Sequence, residues 1–269
     1  MAVNKKLIRA LHEALHEIAD PAKAPIMQAY MKSAMPYLGI QAVPFRKASK
    51  AVLAAHPLDS FEDWRATAIE LWRGARFREE RYAVIELVGH RRYQKFRTLD
   101  ALPLFEEIIT TGAWWDYVDS MASQRIGELL QRYPKEMRAI LREWAASDDI
   151  WKRRSAILAQ LKFKGYTDLK LLHDCIEPSL DRPEFFLRKG IGWALRQLAW
   201  TDPQEVIRYV KANEKRLSPL SKREALKNVR PSNGTDSLRP VKKIGMRAEP
   251  AGEKKSAYRT IAGLAKKVH

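Results

Sequence analysis

A repeat constrains this chain more than any other feature. Phe77 followed by Arg81-Tyr82-Ala83-Val84-Ile85 superimposes on Ile150 followed by Arg154-Ser155-Ala156-Ile157-Leu158. Both match Phe185 followed by Lys189-Gly190-Ile191-Gly192-Trp193 and, more loosely, Arg223-Glu224-Ala225-Leu226. The basic positions 81, 154, 189 and 223 are separated by 73, 35 and 34 residues, so the first interval spans two periods. Its missing member falls at Val118, with Trp114 in the aromatic place. A period near 35 lies between the tetratricopeptide and HEAT lengths, where each unit is a pair of helices that buries its apolar face only against its neighbours.

Local patterning agrees. Apolar residues recur at helical spacing along most of the chain, as in Leu7, Ile8, Leu11, Leu15 and Ile18, whereas alternating strand-like runs are scarce. Asp20-Pro21 reads as a helix start, Pro36 and Gly39 as a stop, and a third helix follows Pro44. Ser60 caps a fourth helix carrying Phe61, Trp64, Ala68, Ile69 and Trp72, which Gly74 ends. Further starts at Arg78, Asp100, Trp114, Pro134, Asp149, Asp168, Arg182, Asp202 and Ser218 bring the total to about thirteen short helices. The expected fold is all-α: a right-handed superhelical solenoid of HEAT-like pairs with a concave basic face.

Equivalent helices of a solenoid line one surface, so Arg81, Arg154, Lys189 and Arg223 would form a basic stripe. The plainer alternative is scattered surface charge, with aliphatic stems packed on neighbours. The charge balance favours the stripe: 49 Lys and Arg against 32 Asp and Glu leave +17, which calls for an anionic partner. Nucleic acid leads and an acidic membrane surface follows. No stretch approaches the ~20 apolar residues that span a bilayer. The opening segment carries Glu13, Glu17 and Asp20 on an amphipathic helix and does not read as a signal or transit peptide. Cys175, the single cysteine, reads as a small buried hydrophobe in a reducing compartment. A cytoplasmic monomer is expected.

Trp114-Trp115-Asp116-Tyr117-Val118-Asp119-Ser120 fills the irregular slot. Helical spacing places Trp115 and Asp119 on one face. An acid at a helix start is ordinary, because it favours the helix dipole. In register, however, a lone carboxylate inside a phosphate-attracting groove opposes the attraction the stripe provides. Chains keep such conflicts chiefly where function needs them, which marks Asp119 as a candidate reactive group.

Other constellations are weaker. His12 and His16 stand at i and i+4 without a third metal ligand nearby, so no metal and no organic cofactor is expected. Trp64, Trp72, Trp144, Trp151 and Trp200 read as packing between helices. From Arg230 to His269 the chain holds ten Lys or Arg against three acids and few large apolar residues, which reads as a flexible basic tail. Within it, Glu253 to Val268 reads as a weak amphipathic helix. The expected organisation is thus a repeat domain over 1–229 and a tail over 230–269.

In order along the chain, Tyr30-Met31-Lys32, Tyr37-Leu38-Gly39-Ile40-Gln41, Trp114 to Ser120, Ala146-Ser147-Asp148-Asp149-Ile150-Trp151, Glu184-Phe185-Phe186, Ile191-Gly192-Trp193 and Pro219-Leu220-Ser221-Lys222-Arg223-Glu224-Ala225 resemble the AlkD-like DNA alkylation repair glycosylases. The likeness runs from about Ala24 to Val229 and is most specific at the double tryptophan with its trailing Asp. It implies an all-helical solenoid cradling duplex DNA. The implied activity is hydrolysis of the N-glycosidic bond of N3- and N7-alkylated purines. By motif, the family's catalytic Asp falls on Asp119, its cleft tryptophans on Trp115 and Trp193, and its cleft arginine on Arg154. Expected DNA contacts are Tyr30, Lys32, Gln41, Arg46, Lys47, Arg81, Lys189, Lys222 and Arg223. The sequence departs from the family at Ala42-Val43-Pro44-Phe45-Arg46-Lys47, where proline does not directly precede the basic pair. The competing readings are a non-catalytic relative that binds damaged or structured DNA, and a scaffold for an acidic protein.

Overall fold

A computed structural model describes residues 2–229. Among them lie fourteen α-helices and no strand: α1 (Lys5–Glu17), α2 (Ala24–Met31), α3 (Ala42–Ala55), α4 (Phe61–Gly74), α5 (Arg78–Gly89), α6 (Leu102–Gly112), α7 (Trp115–Ser120), α8 (Gly127–Arg132), α9 (Pro134–Ala146), α10 (Ile150–Leu158), α11 (Leu169–Ile176), α12 (Phe185–Leu198), α13 (Pro203–Ala212) and α14 (Pro219–Ala225). The basic tail and its amphipathic segment lie outside the described residues.

Polar caps set many of the starts. The side chains of Ser60, Asp149, Asp168, Asp202 and Ser218 each accept a backbone N–H from the first turn of the helix they precede. Each thereby satisfies a donor that helical geometry leaves unpaired. Asn4 does the same for α1. Three starts shift. Asp20 instead caps a turn, accepting from the N–H groups of Ala22 and Lys23, and α2 opens at Ala24 with Pro25 in its first turn. Pro44 falls inside the first turn of α3, where its missing N–H costs nothing. Arg182 precedes α12 by a turn rather than opening it.

The helices stack so that alternate members touch. One row runs α1, α3, α5, α7, α10, α12, α14, each packed on the next. Helices α4 and α6, and then α8, α9 and α11, pack in succession beside it. Positions 81, 118, 154, 189 and 223 fall on α5, α7, α10, α12 and α14, five consecutive members of the first row. The described residues thus form an all-α helical-repeat solenoid. The approach of α12 to α14 requires Gly192, because a Cβ there would lie 2.5 Å from the Glu224 Cβ.

Two apolar clusters run through the stack. Trp64 and Trp72 are fully buried, Trp144 and Trp151 nearly so. Trp200 corrects the packing expectation: it follows α12 in a turn and is 69% exposed. Cys175 is buried, and burial pushes its thiol up to about 12. No helix among the described residues is long and apolar enough to cross a membrane.

Candidate active site

The site is built on α7, one short turn between two arginines. Ala113 ends α6 in the left-handed region at φ 43°, and Trp114 is extended, so the chain turns sharply before α7 begins at Trp115. After Ser120 the helix does not stop. It widens into a π turn over Met121–Ile126 and continues directly into α8. Single π turns inside α-helices recur at functional sites. Here the Ser123 hydroxyl donates to the Asp119 backbone carbonyl at 2.8 Å.

Asp119 is buried at the α7–α10 contact. Arg154, from α10, donates Nε to Oδ1 at 2.7 Å and Nη2 to Oδ2 at 2.8 Å. Its Nη1 donates to the Phe186 backbone carbonyl, so one guanidinium ties three successive members of the row together. Gly190 makes room for it: a Cβ at that position would stand 3.0 Å from Arg154 Nη1. Burial pushes the Asp119 carboxyl above its ordinary range, Arg154 opposes that shift, and the nearby charge of Asp116 reinforces it. The carboxylate is therefore not the lone anion that register alone suggested. The cation of the next repeat folds back onto it, in the bidentate geometry that suits an arginine and a carboxylate.

The other acid of α7 faces the opposite neighbour. Asp116 receives Arg78 Nη2 on both oxygens at 2.7 and 2.6 Å and the Tyr82 hydroxyl at 2.5 Å. Arg78 stacks on the Tyr117 ring at 4.2 Å, and the Tyr37 hydroxyl reaches that of Tyr82 at 3.0 Å. Sequence patterning gave no sign of this network, because Arg78 reads as a helix start and Tyr82 as an apolar repeat position.

Trp115 and Trp193 are both half-buried, Trp115 packing against the first apolar cluster and Trp193 against the second. Trp115 begins the turn that carries Asp119. Trp193 lies three residues beyond Gly190, the residue that abuts Arg154. Trp114 packs instead on Trp151 and Phe186.

The expected DNA contacts are spread along the row. Arg81 is half-buried, its guanidinium 4.6 Å over the Trp72 ring, and burial lowers its pKa. Lys189 lies 3.0 Å from a Glu224 oxygen. Arg223 is exposed, while Lys222 donates Nζ to the Glu214 carbonyl at 3.2 Å. At the other end Tyr30, Lys32, Gln41 and Lys47 are exposed, and Arg46 is half-buried with Nε on the Ala42 carbonyl at 3.2 Å. Glu79, which sequence reasoning passed over, orders this end: its buried carboxylate accepts the backbone N–H groups of Leu38, Gly39 and Ile40. His12 lies 3.6 Å from Glu80 and His16 packs edge-on against Phe77. Among the described residues no three metal-ligating side chains gather.

Comparison with known proteins adds a finding that geometry alone does not supply. The family described as DNA alkylation repair enzyme matches residues 11–229. A solved structure, "Predicted DNA alkylation repair enzyme from Enterococcus faecalis", superimposes with a TM-score of 0.69 at 32% sequence identity, covering 78% of this chain and 96% of that one. None of the curated proteins compared matches the chain.

Proposed function

The chain belongs to the DNA alkylation repair enzyme family, and on that premise we propose that it is a DNA glycosylase. It hydrolyses the N-glycosidic bond of N3- and N7-alkylated purines in duplex DNA and leaves an abasic site. The observation that carries this reading is the buried Asp119 carboxylate, held on one side by Arg154 and set one turn after Trp115.

Alkylation at N3 or N7 places positive charge on the purine, which then departs readily as the bond to C1′ lengthens. Such a leaving group needs no strong general acid, whereas ordinary glycosidases need a second carboxyl to protonate theirs. The demand falls on the sugar, where positive charge develops. Asp119 stabilises that charge and orients the attacking water. At about 4 Å and an effective dielectric near 20, the interaction is worth about 4 kcal/mol, roughly a thousandfold in rate.

Arg154 fixes the direction of the carboxylate and favours its ionised form. Its side chain is buried and three of its five donors are spent on Asp119 and the Phe186 carbonyl, so it meets a backbone phosphate with the remaining two once DNA binding uncovers it. Trp115 and Trp193 flank the lesion nucleotide and add cation–π attraction of about 0.5–2 kcal/mol toward the charged sugar or base. A site that reads the cationic lability of the nucleotide rather than base edges does not need the base extruded into a deep pocket, unlike base-flipping glycosylases. Bulky N7 adducts should therefore be released as well as methyl adducts.

The test is incubation of the protein with methylated duplex DNA, followed by assay of free N7-methylguanine, free N3-methyladenine and abasic sites. Release of both bases with matching abasic sites is expected. DNA binding with no base released refutes the glycosylase assignment.

A further inference from the structure

Away from Asp119, cations gather on the edge where the first-row helices give way to their connections. The turn Arg91–Phe96, which follows α5, exposes Arg91, Arg92 and Lys95. Behind it Arg97 Nε and Arg125 Nη1 converge on one carboxylate, that of Glu128, at 2.8 and 2.9 Å. Arg132 donates Nη1 to the carbonyls of Gln94 and Arg97, adding a third guanidinium to the same turn. Exposed cations flank the group on both sides. Lys50, on α3, bears on His90 together with Arg92 and Arg97. Burial and then the charge of Arg125 lower the pKa of Lys162, just past α10.

This arrangement concentrates positive charge around one carboxylate. Burial draws the Arg125 guanidinium down to about 10, the charge of Arg97 adds to the effect, and Glu128 and Glu86 only partly oppose it. Like charges held together at low effective dielectric repel. Elsewhere a cation sits between carboxylates, as Arg216 does between Glu177 and Asp181, whereas Arg91, Arg92 and Lys95 stand exposed on the turn.

We propose that this edge, from Lys50 through the 91–97 turn and Arg125 to Lys162, is a second docking surface for the phosphate backbone of duplex DNA, separate from the Asp119 site. The cations come from α3, the turn after α5, the π turn and the turn after α10, so they are drawn from consecutive repeats instead of enclosing a cavity. A linear polyanion matches that distribution, and neutralising successive phosphates releases the condensed counterions of the duplex. The choice of duplex DNA rests on the family's substrate, but not on the chemistry assigned to Asp119.

The experiment uses the full chain and a fluorescein-labelled, undamaged duplex, so its result is independent of base release. Binding is measured by anisotropy from about 50 to about 200 mM salt. The triple variant Arg91→Gln/Arg92→Gln/Lys95→Gln should bind more weakly, and the slope of log K against log salt should become shallower by about 0.9 for each phosphate that is no longer neutralised. Its thermal midpoint should stay close to that of the wild type, because all three positions are exposed and the Arg97–Glu128–Arg125 bridge is untouched. An unchanged affinity and slope overturn the proposal, as does weaker binding that tracks a lowered thermal midpoint. The single variants Lys50→Gln and Lys162→Gln, both at exposed positions, provide the same reading if the triple variant does not fold, and unchanged slopes in both overturn it equally. Polyglutamate that competes as well as duplex at matched charge overturns the assignment to DNA.

Discussion

Two buried arginine–aspartate pairs hang α7 between its neighbours, and they differ in what they leave open. Asp116 is closed. Arg78 takes both oxygens, the Tyr82 hydroxyl adds a third bond, and the rings of Tyr37, Tyr82 and Tyr117 surround the guanidinium. Asp119 is held by Arg154, which among the described residues supplies the hydrogen bonds to its carboxylate. A carboxylate has room for about four such bonds, so Asp119 keeps acceptor capacity that Asp116 has given to the protein. Similar burial and the same residue types therefore yield one structural clamp and one carboxylate with capacity left for a ligand.

The largest test of that contrast removes the charge on each side. Asp119→Asn should lower single-turnover release of N7-methylguanine by about a thousandfold while duplex binding persists. Unchanged release would sink the assignment. Arg78→Ala should leave Asp116 as an uncompensated buried charge and cost about 3–5 kcal/mol of stability by urea unfolding. A loss below about 1 kcal/mol, the range of exposed pairs, would show that the clamp is not structural.

Smaller effects sharpen the comparison. Trp193→Ala should slow excision by about two- to thirtyfold if the ring faces the charged nucleotide, and an unchanged rate would confine Trp193 to packing. The pH profile then separates the neighbours of Asp119 by sign. Excision needs the ionised carboxylate, and burial raises its pKa, so the acid limb should lie above the ordinary Asp range. Arg154→Gln removes the charge that favours ionisation and should move that limb to higher pH. Asp116→Asn removes a like charge and should move it to lower pH. Shifts of the same sign in both variants would contradict this electrostatic account.

Much of the scaffold is legible in the sequence because it depends on local chemistry. Ser60, Asp149, Asp168, Asp202 and Ser218 each cap a helix within three residues, and the repeat register assigns positions 81, 118, 154, 189 and 223 to consecutive members of one row. What those positions do is less legible, because it depends on partners about one repeat away. Arg154 turns inward to Asp119, Lys189 meets Glu224, and Arg81 lies over Trp72. Trp200 shows the same limit, since an aromatic at the end of an amphipathic helix faces solvent as readily as core. The Arg78–Asp116 network and the π turn carry no sequence signal at all. Both are fixed by contacts between repeats rather than by neighbours in the chain.

The π turn at Met121–Ile126 has a consequence for how the two halves of this long helix can vary. A regular helix locks the rotational phase of every side chain to that of every other, so re-aiming Trp115 and Asp119 would swing Leu129 and Leu130 out of the core. One wide turn breaks that lock. Residues 115–120 can be oriented for their arginine neighbours and residues 127–132 for packing, each on its own bearing. Deleting one residue between Met121 and Ile126 would restore a single phase and force the molecule to choose between its chemistry and its core.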